Sequence, residues 1–531
     1  MEKLRLYARS VPITFESWFI SLAGVVVIRT FFEQFPSFQP GHFVLIDAPT
    51  IVHYGVSYLA INISLMLILM LFGRRNLHEV SVVCTFGLLI ILIAPIIDVI
   101  FAGIGGQLIS YFFMSGQELL WSFVTFFGWN ITSGITLGIQ VETFMGIIFC
   151  LVYVYTIKRS VWRALGAGFA FYCLIFFIFS LPSLLALALP QNIDASFAVM
   201  ESLMTSNILP NNIHPNFTAN DIGLVDLAFN KLMIGANLVV AVISGMLLFF
   251  VGTREKFKAM MKNTRPERIF HFFLLYVFGS SLIFTAWPAN WIDVASYLFA
   301  FFSIVCAWMY SVCQNDIYDE KIDSISNAGR PIIAKELSRS DMETASKIFL
   351  LLTFLFAYAS SHYAIFFVSM FLFVYYIYSN PPLRLKRFVL VNSFLVSLAC
   401  LSVIMLGFFM ISPDKSIVTF PLGLIVAIVI FFTAVTNIRD IKDFEGDKVD
   451  GIKTLPVLLG LGRAQKLIAG TICFFFLLIP WYFEMSFLWM PSIVASLLSW
   501  YFITQKNYKE WKGFFVYMAY LIFIIGVMII T

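Results

Sequence analysis

Two short stretches concentrate acid in a chain that is otherwise poor in charge: "NDIYDEKID" at 315–323 and "DIKDFEGD" at 440–447. Asp316, Asp319 and Asp323 are spaced i, i+3, i+7, and Asp440, Asp443 and Asp447 repeat the spacing. At about 100° per residue, each trio falls in a stripe about 60° wide on one helix face. Carboxylates held this close repel one another, so without cations some stay protonated or the site opens. Two facing stripes of hard oxygen donors suit divalent cations, Mg2+ above all, which takes one or two carboxylates and completes its shell with water or substrate phosphate. One such cluster alone is equally a solvated face at a membrane surface; the matched pair points to a metal site.

Bases accompany the acids. Arg330 lies just beyond the first cluster in "NAGRPI", "YSNPPLRLKR" delivers Arg384, Lys386 and Arg387, and Lys442 and Lys453 flank the second cluster. Acids and bases together suit a ligand that is itself anionic and bridged by metal, such as a diphosphate: Arg binds phosphate oxygens bidentately, Lys as a point charge. Each base also serves simple membrane topology. Pro381 and Pro382 end the preceding helix. "SRSDMETASK" offers a capping box of Ser340 with Glu343, which makes 324–339 a structured connection able to fold over the site.

The elements that carry these residues are membrane helices. The chain has 531 residues, 60% hydrophobic and 12% charged, with a mean hydropathy of +0.91, which excludes a soluble globular protein and predicts an all-α polytopic membrane protein. Apolar runs long enough to span a bilayer fall at about 15–34, 52–72, 79–103, 134–157, 164–189 and 232–252. Nine more follow at about 271–289, 292–313, 346–361, 363–379, 388–411, 417–437, 465–483, 488–505 and 513–531. With the N-terminus inside, 31 of the 34 Lys and Arg residues fall in cytoplasmic segments, all but Arg29, Lys231 and Lys415. That bias supports the count and the orientation. Both acid clusters then face the cytoplasm and the C-terminus lies outside.

The basic linker "GTREKFKAMMKNTRPERIFH", which contains Pro266, divides the chain near residue 262 into domains 1–262, of about six helices, and 263–531, of nine. The longest outside loop is 190–230, and sequons stand at Asn130 and Asn216. "MEKLRLYARS" leads into a segment without a cleavage-site pattern. Seven cysteines lie in apolar segments without C-x-x-C spacing and read as packing residues. No nucleic-acid signature exists beyond loop basicity. In the first domain Asp98 and Glu142 fall inside predicted helices and could pair with Arg29; a structural ion pair and a transport or binding role both fit.

"NDIYDEKID...NAGRPI", "YSNPPLRLK" and "RDIKDFEGDKVDGIKTLPV", in this order, resemble the UbiA superfamily of intramembrane prenyltransferases over about 265–531. The resemblance implies a nine-helix bundle around a central cavity, where a Mg2+-bound prenyl diphosphate ionises and the allylic cation alkylates an acceptor. By matching, Asn315, Asp316, Asp319 and Asp323 form one metal site and Asp440, Asp443 and Asp447 the other. The same matching implies Arg330 and Lys386, together with Asn315, Arg384, Lys442 and Lys453, as diphosphate partners. Members acting on hydroxybenzoate usually carry Arg-Thr before the Arg-Pro; here Ser326-Asn327-Ala328-Gly329 is closer to members with lipid or tetrapyrrole-type acceptors. Quinone-type aromatic acceptors belong to the same expectation, as does the cell membrane as location. Aromatic faces stabilise such a cation by about 2 kcal/mol or more when desolvated; Tyr310, Tyr318, Tyr376 and Tyr378 are candidates. The other reading is a transporter or cation permease with the paired acids as an ion path, although transporter sites tend toward the midplane on broken helices. Residues 1–260 resemble no family.

Overall fold

The computed structural model describes residues 10–34, 48–102, 116–128, 135–187, 222–284, 291–412, 416–449 and 451–530. Lys3, Arg5, Arg9, Lys415, both sequons and most of the 190–230 loop lie outside them. The described residues are helical, with no strand among them. The chain divides into two compact units, Met1–Phe257 and Lys258–Thr531.

Fourteen helices among the described residues are long and apolar enough to cross a membrane, six of them before residue 257. The protein is a multi-pass membrane protein. The first unit contains α1 (Phe15–Gln34), α2 (Ala48–Gly73), α3 (Leu77–Gly87), α4 (Ile93–Ala102), α5 (Leu137–Lys158), α6 (Val161–Phe179) and α7 (Ile222–Gly252). A 3-10 turn, Leu88–Leu92, joins α3 and α4 into one span.

Polar residues hold this unit together where apolar faces cannot, because lipid gives no hydrophobic drive to helix association. Along α2 and α7 three pairs recur every seventh residue. Asn230 donates to Thr50 at 3.5 Å, Asn237 donates to Ser57 at 2.9 Å, and the Ser64 and Ser244 hydroxyls bond at 2.7 Å. The constant offset means that the two helices run parallel, as the second and sixth spans of a six-span bundle must.

The intramembrane acids separate into two structural roles. Arg29, 1% exposed, bonds Glu33 at 2.9 Å and lies 3.5 Å from Glu142, over the Tyr58 ring. The expected pairing of Glu142 with Arg29 therefore occurs, whereas that of Asp98 does not. Asp98 instead accepts from the Thr136 hydroxyl at 2.5 Å and the Gly138 N–H at 2.7 Å, closing the N-terminus of α5. The approach that permits this leaves no room at Gly138, where a Cβ would stand 2.1 Å from the Ala94 carbonyl oxygen.

The second unit contains α8 (Pro266–Ser281), α9 (Trp291–Tyr318), α10 (Glu320–Ser326), α11 (Arg339–Ser360), α12 (His362–Ser379), α13 (Val391–Ile411), α14 (Leu422–Val435), α15 (Asp440–Val449), α16 (Leu461–Tyr482), α17 (Trp489–Ile503) and α18 (Glu510–Ile530). Eight of the nine runs expected here are span-length helices. The ninth is α8, which has 16 residues among those described. α8 and α13 cross at a pair of glycines: a Cβ at Gly279 would lie 1.9 Å from the Ile404 carbonyl oxygen, and one at Gly407 equally close to that of Tyr276. Ser361 alone separates α11 from α12 and caps the latter through Ala364 N–H. The capping box of α11 sits two residues earlier than expected: Ser338 and Asp341 satisfy each other's backbone, not Ser340 and Glu343. A cap is fixed by where the backbone leaves the extended region, and Ser338 is the residue in that conformation.

Candidate active site

The first acid cluster does not form one continuous stripe. α9 ends at Tyr318, and Asp319 caps α10 outside the helical region at φ −100°, ψ 11°. Asp316 turns into the bundle, fully buried. There it accepts from Asn263 at 2.8 Å and Arg265 at 2.7 Å, and it also bonds Arg330. Asp319 and Asp323 face a cavity of about 420 Å³. Lys386 bonds both oxygens of Asp319, and Arg384 donates to it at 2.9 Å. Asp323 accepts from Asn327 at 3.0 Å and lies 3.5 Å from Arg330. Burial pushes its carboxyl up to about 7, with the charges of Asp316 and Asp319 adding to the effect. Asn315 accepts from Ser379 at 3.1 Å and from Lys386 at 3.5 Å.

The second cluster lies on α15, entered through a 3-10 turn, Thr436–Arg439. The helix runs on past Gly446 to Val449, so Asp440, Asp443 and Asp447 share it. All three line the cavity, and α15 packs against α10. The two clusters thus face one another.

Their electrostatics differ. Every acid of the first cluster has an Arg or Lys within 4 Å. Among the described residues, no cation stands that close to Asp440, Asp443 or Asp447; Asp440 accepts from Asn392 at 3.3 Å. Two cavity oxygens, Asp323 Oδ2 and Asp443 Oδ1, are buried with no hydrogen-bond partner. No three His, Cys, Asp or Glu residues converge among the described residues. Mg2+ does not require three, because it is commonly held by one or two carboxylates plus phosphate oxygens. Orphaned, uncompensated carboxylate oxygens on a cavity wall fit that donor set.

Of the expected bases, Arg330 and Lys386 line the cavity. Arg384 is not on the wall and acts on it by holding Asp319. Lys442 reaches the rim, 3.8 Å from Glu510. Lys453 is exposed and off the wall: its neighbours Ile452 and Thr454 are buried and line the cavity, which leaves the intervening side chain on the opposite side. Of the candidate tyrosines only Tyr378 is on the wall, joined by Tyr375; Tyr318 and Tyr376 are exposed. Sequence reasoning missed Asn263 and Arg265, which sit in the linker taken there as a boundary. It also missed the wall residues Arg268, His271, Asn392 and Arg439. The Arg-Pro step at 265–266, an N-terminal helix signal, was the available clue.

Residues 273–524 match the family model described as the UbiA prenyltransferase family. The probable homogentisate phytyltransferase 2, chloroplastic, of Oryza sativa subsp. japonica is 30% identical over 194 residues, 34% of this chain and 49% of that protein. The homogentisate geranylgeranyltransferase of Triticum aestivum is 28% identical over 40% of this chain and 55% of its own length. The chloroplastic chlorophyll synthase of Avena sativa is 29% identical over 32% and 48%. The chain spans about half the length of these curated relatives. Among solved structures, a UbiA homologue from Archaeoglobus fulgidus bound to GPP and Mg2+ superposes with a TM-score of 0.41 at 20% identity, covering 51% of this chain and all of that one.

Proposed function

Since residues 273–524 belong to the UbiA prenyltransferase family, we propose that the chain transfers a prenyl group from a prenyl diphosphate to a lipophilic or aromatic acceptor within the membrane. The observation that carries this reading is the pairing of two acid helices across one cavity whose wall also carries bases and aromatic rings. Asp319 and Asp323 on one side and Asp440, Asp443 and Asp447 on the other would hold Mg2+, which when bound would supply positive charge against the departing diphosphate. Lys386 and Arg330, now spent on Asp319 and Asp316, are placed to turn to phosphate oxygens once those acids have another partner. Arg384 and Asn315 position Asp319 and Lys386. Tyr375, Tyr378 and Phe432 offer ring faces to the allylic cation and exclude water from it. The acceptors named for the relatives, homogentisate and the substrate of chlorophyll synthase, define the classes to try first.

The charge distribution supports a cytoplasmic position for both acid clusters, an inside N-terminus and an outside C-terminus; the cell membrane is the location we propose. The deciding experiment incubates the purified full chain in lipid with labelled geranylgeranyl diphosphate, a panel of acceptors and either Mg2+ or EDTA. Mg2+-dependent prenylated product is expected. Absence of transfer to every acceptor, with the donor left intact, defeats the reading.

A further inference from the structure

In the first unit Arg29 serves two acids and is shared unequally. Its Nε and Nη2 meet the same oxygen of Glu33, Oε1, at 3.2 and 2.9 Å, while Nη1 lies 3.5 Å from Glu142 Oε2. Those two facing atoms are both buried with no hydrogen-bond partner. The other oxygen of Glu142 has the Tyr58 hydroxyl, at 3.5 Å. Two carboxylates and one guanidinium leave a negative charge over, inside the spans Phe15–Glu33 and Leu137–Lys158, where an uncompensated charge is expensive. Glu33 holds the guanidinium, so the surplus falls on Glu142.

Nothing packed against Glu142 among the described residues makes up the difference. On α4 Asp98 is a further acid, its oxygens already met by Thr136 and Gly138. The titratable groups contributed by α2 and α3 are Tyr58 and Cys84, and the 3-10 turn and α6 present apolar side chains. Glu142 opens instead on a cavity of about 50 Å³, whose other polar walls are Tyr58, Asn62 and Thr143. A water needs roughly 10–15 Å³ of such space and a few polar partners. The same wall includes Leu88, Ile90 and Ile91, where the third span is interrupted.

We propose that Glu142 is an exchangeable proton-binding site of the first unit, loaded at Oε2 from water in this cavity. Uptake turns carboxylate and hydronium into carboxylic acid and water, and release reverses it. The acid form cancels the surplus charge and gives the orphaned oxygen a proton of its own. A proton needs one lone pair, whereas a metal cation needs several oxygens. No three His, Cys, Asp or Glu residues converge among the described residues, and the guanidinium 3.5 Å away repels a second fixed cation. The inference is independent of the prenyl-transfer reading, because it concerns the unit Met1–Phe257 alone.

The full chain in lipid nanodiscs is treated with a membrane-soluble carbodiimide, which modifies carboxyls only in the acid form, over a pH series in choline or Na+ buffer. Adducts are located by peptide mass spectrometry. At neutral pH Glu142 should carry about tenfold more adduct than Glu33 or Asp98, the ratio set by one unit of difference in proton affinity. The adduct should fade as pH rises, and Na+ should not protect against it. Glu142→Gln should abolish it, and Arg29→Gln, which strands both acids, should extend it to Glu33. Infrared difference spectra read the same proton without the reagent: a carboxylic-acid C=O band in the parent should be missing from Glu142→Gln. Equal adduct on Glu33 and Glu142, protection by Na+, or an unchanged carboxylic-acid band in Glu142→Gln each overturns the proposal. Where the reagent does not reach Glu142 or Arg29→Gln does not fold, the infrared comparison decides.

Discussion

Lys386 grips both carboxylate oxygens of Asp319 across 67 residues of sequence. That bond joins the connection after α12 to the end of α9, and it makes the first acid cluster largely self-neutralised, while the second has no cation of its own within 4 Å among the described residues. The two motifs match in spacing but not in electrostatic state.

This asymmetry separates Asp316 from Asp443. Asp316→Ala leaves Arg265 and Arg330 facing each other without their shared carboxylate, and breaking a buried pair costs about 3–5 kcal/mol, less here because the guanidiniums are partly exposed. It should lower the melting temperature together with turnover. Asp443→Ala removes an acid that no cation compensates; it should leave melting nearly unchanged and lower turnover by about 10²-fold or more. Thermal unfolding and activity of the two purified variants check this.

Among the lysines, Lys386→Met should reduce turnover by about 10²-fold, comparable to loss of one oriented donor, and Lys453→Met should stay within about twofold. Initial rates at saturating Mg2+ measure both. Equal losses would return Lys453 to the cavity.

Much of the site was legible because spacing alone puts Asp440, Asp443 and Asp447 on one helix face, and because charge inside an apolar chain is conspicuous. What was not legible depended on where helices break. Asp319 as a cap splits the first stripe and sends Asp316 away from Asp323's cavity; no periodicity reports that. Asn263 and Arg265 looked like linker because their contacts with Asp316 span more than 50 residues. Asp98 and Glu142 were indistinguishable as buried acids until one closed a helix end and the other met a guanidinium.

A fragment starting at Lys258 keeps Asn263 and Arg265 and should retain transfer to a short soluble acceptor. A fragment starting at Pro266 loses two of the three partners of Asp316, keeping only Arg330, and should be less stable and markedly slower. Expression of each in lipid, with turnover per folded molecule, tests whether the linker residues belong to the catalytic unit.

The glycine crossing of α8 and α13 sets a packing prediction. Gly279→Val or Gly407→Val must push the two backbones apart, and overpacking of this kind costs about 1–3 kcal/mol or more. Both should lower the melting temperature, with Gly526→Val, which meets open space, as the silent control.

Sidedness is checked by single cysteines: Ser340→Cys should react with an impermeant maleimide from the cytoplasmic side and Val418→Cys, an 85% exposed position, from the opposite side only. Reversed labelling would move both acid clusters across the membrane.

The three rungs between α2 and α7 also limit how the first unit can move. Sliding either helix by one residue would break all three rungs at once, and sliding by a full repeat would leave one rung empty at an end. Any relative displacement within the unit would therefore have to carry these two helices together. The regular helical ladder is interrupted instead in the third span, at the 3-10 segment Leu88–Leu92.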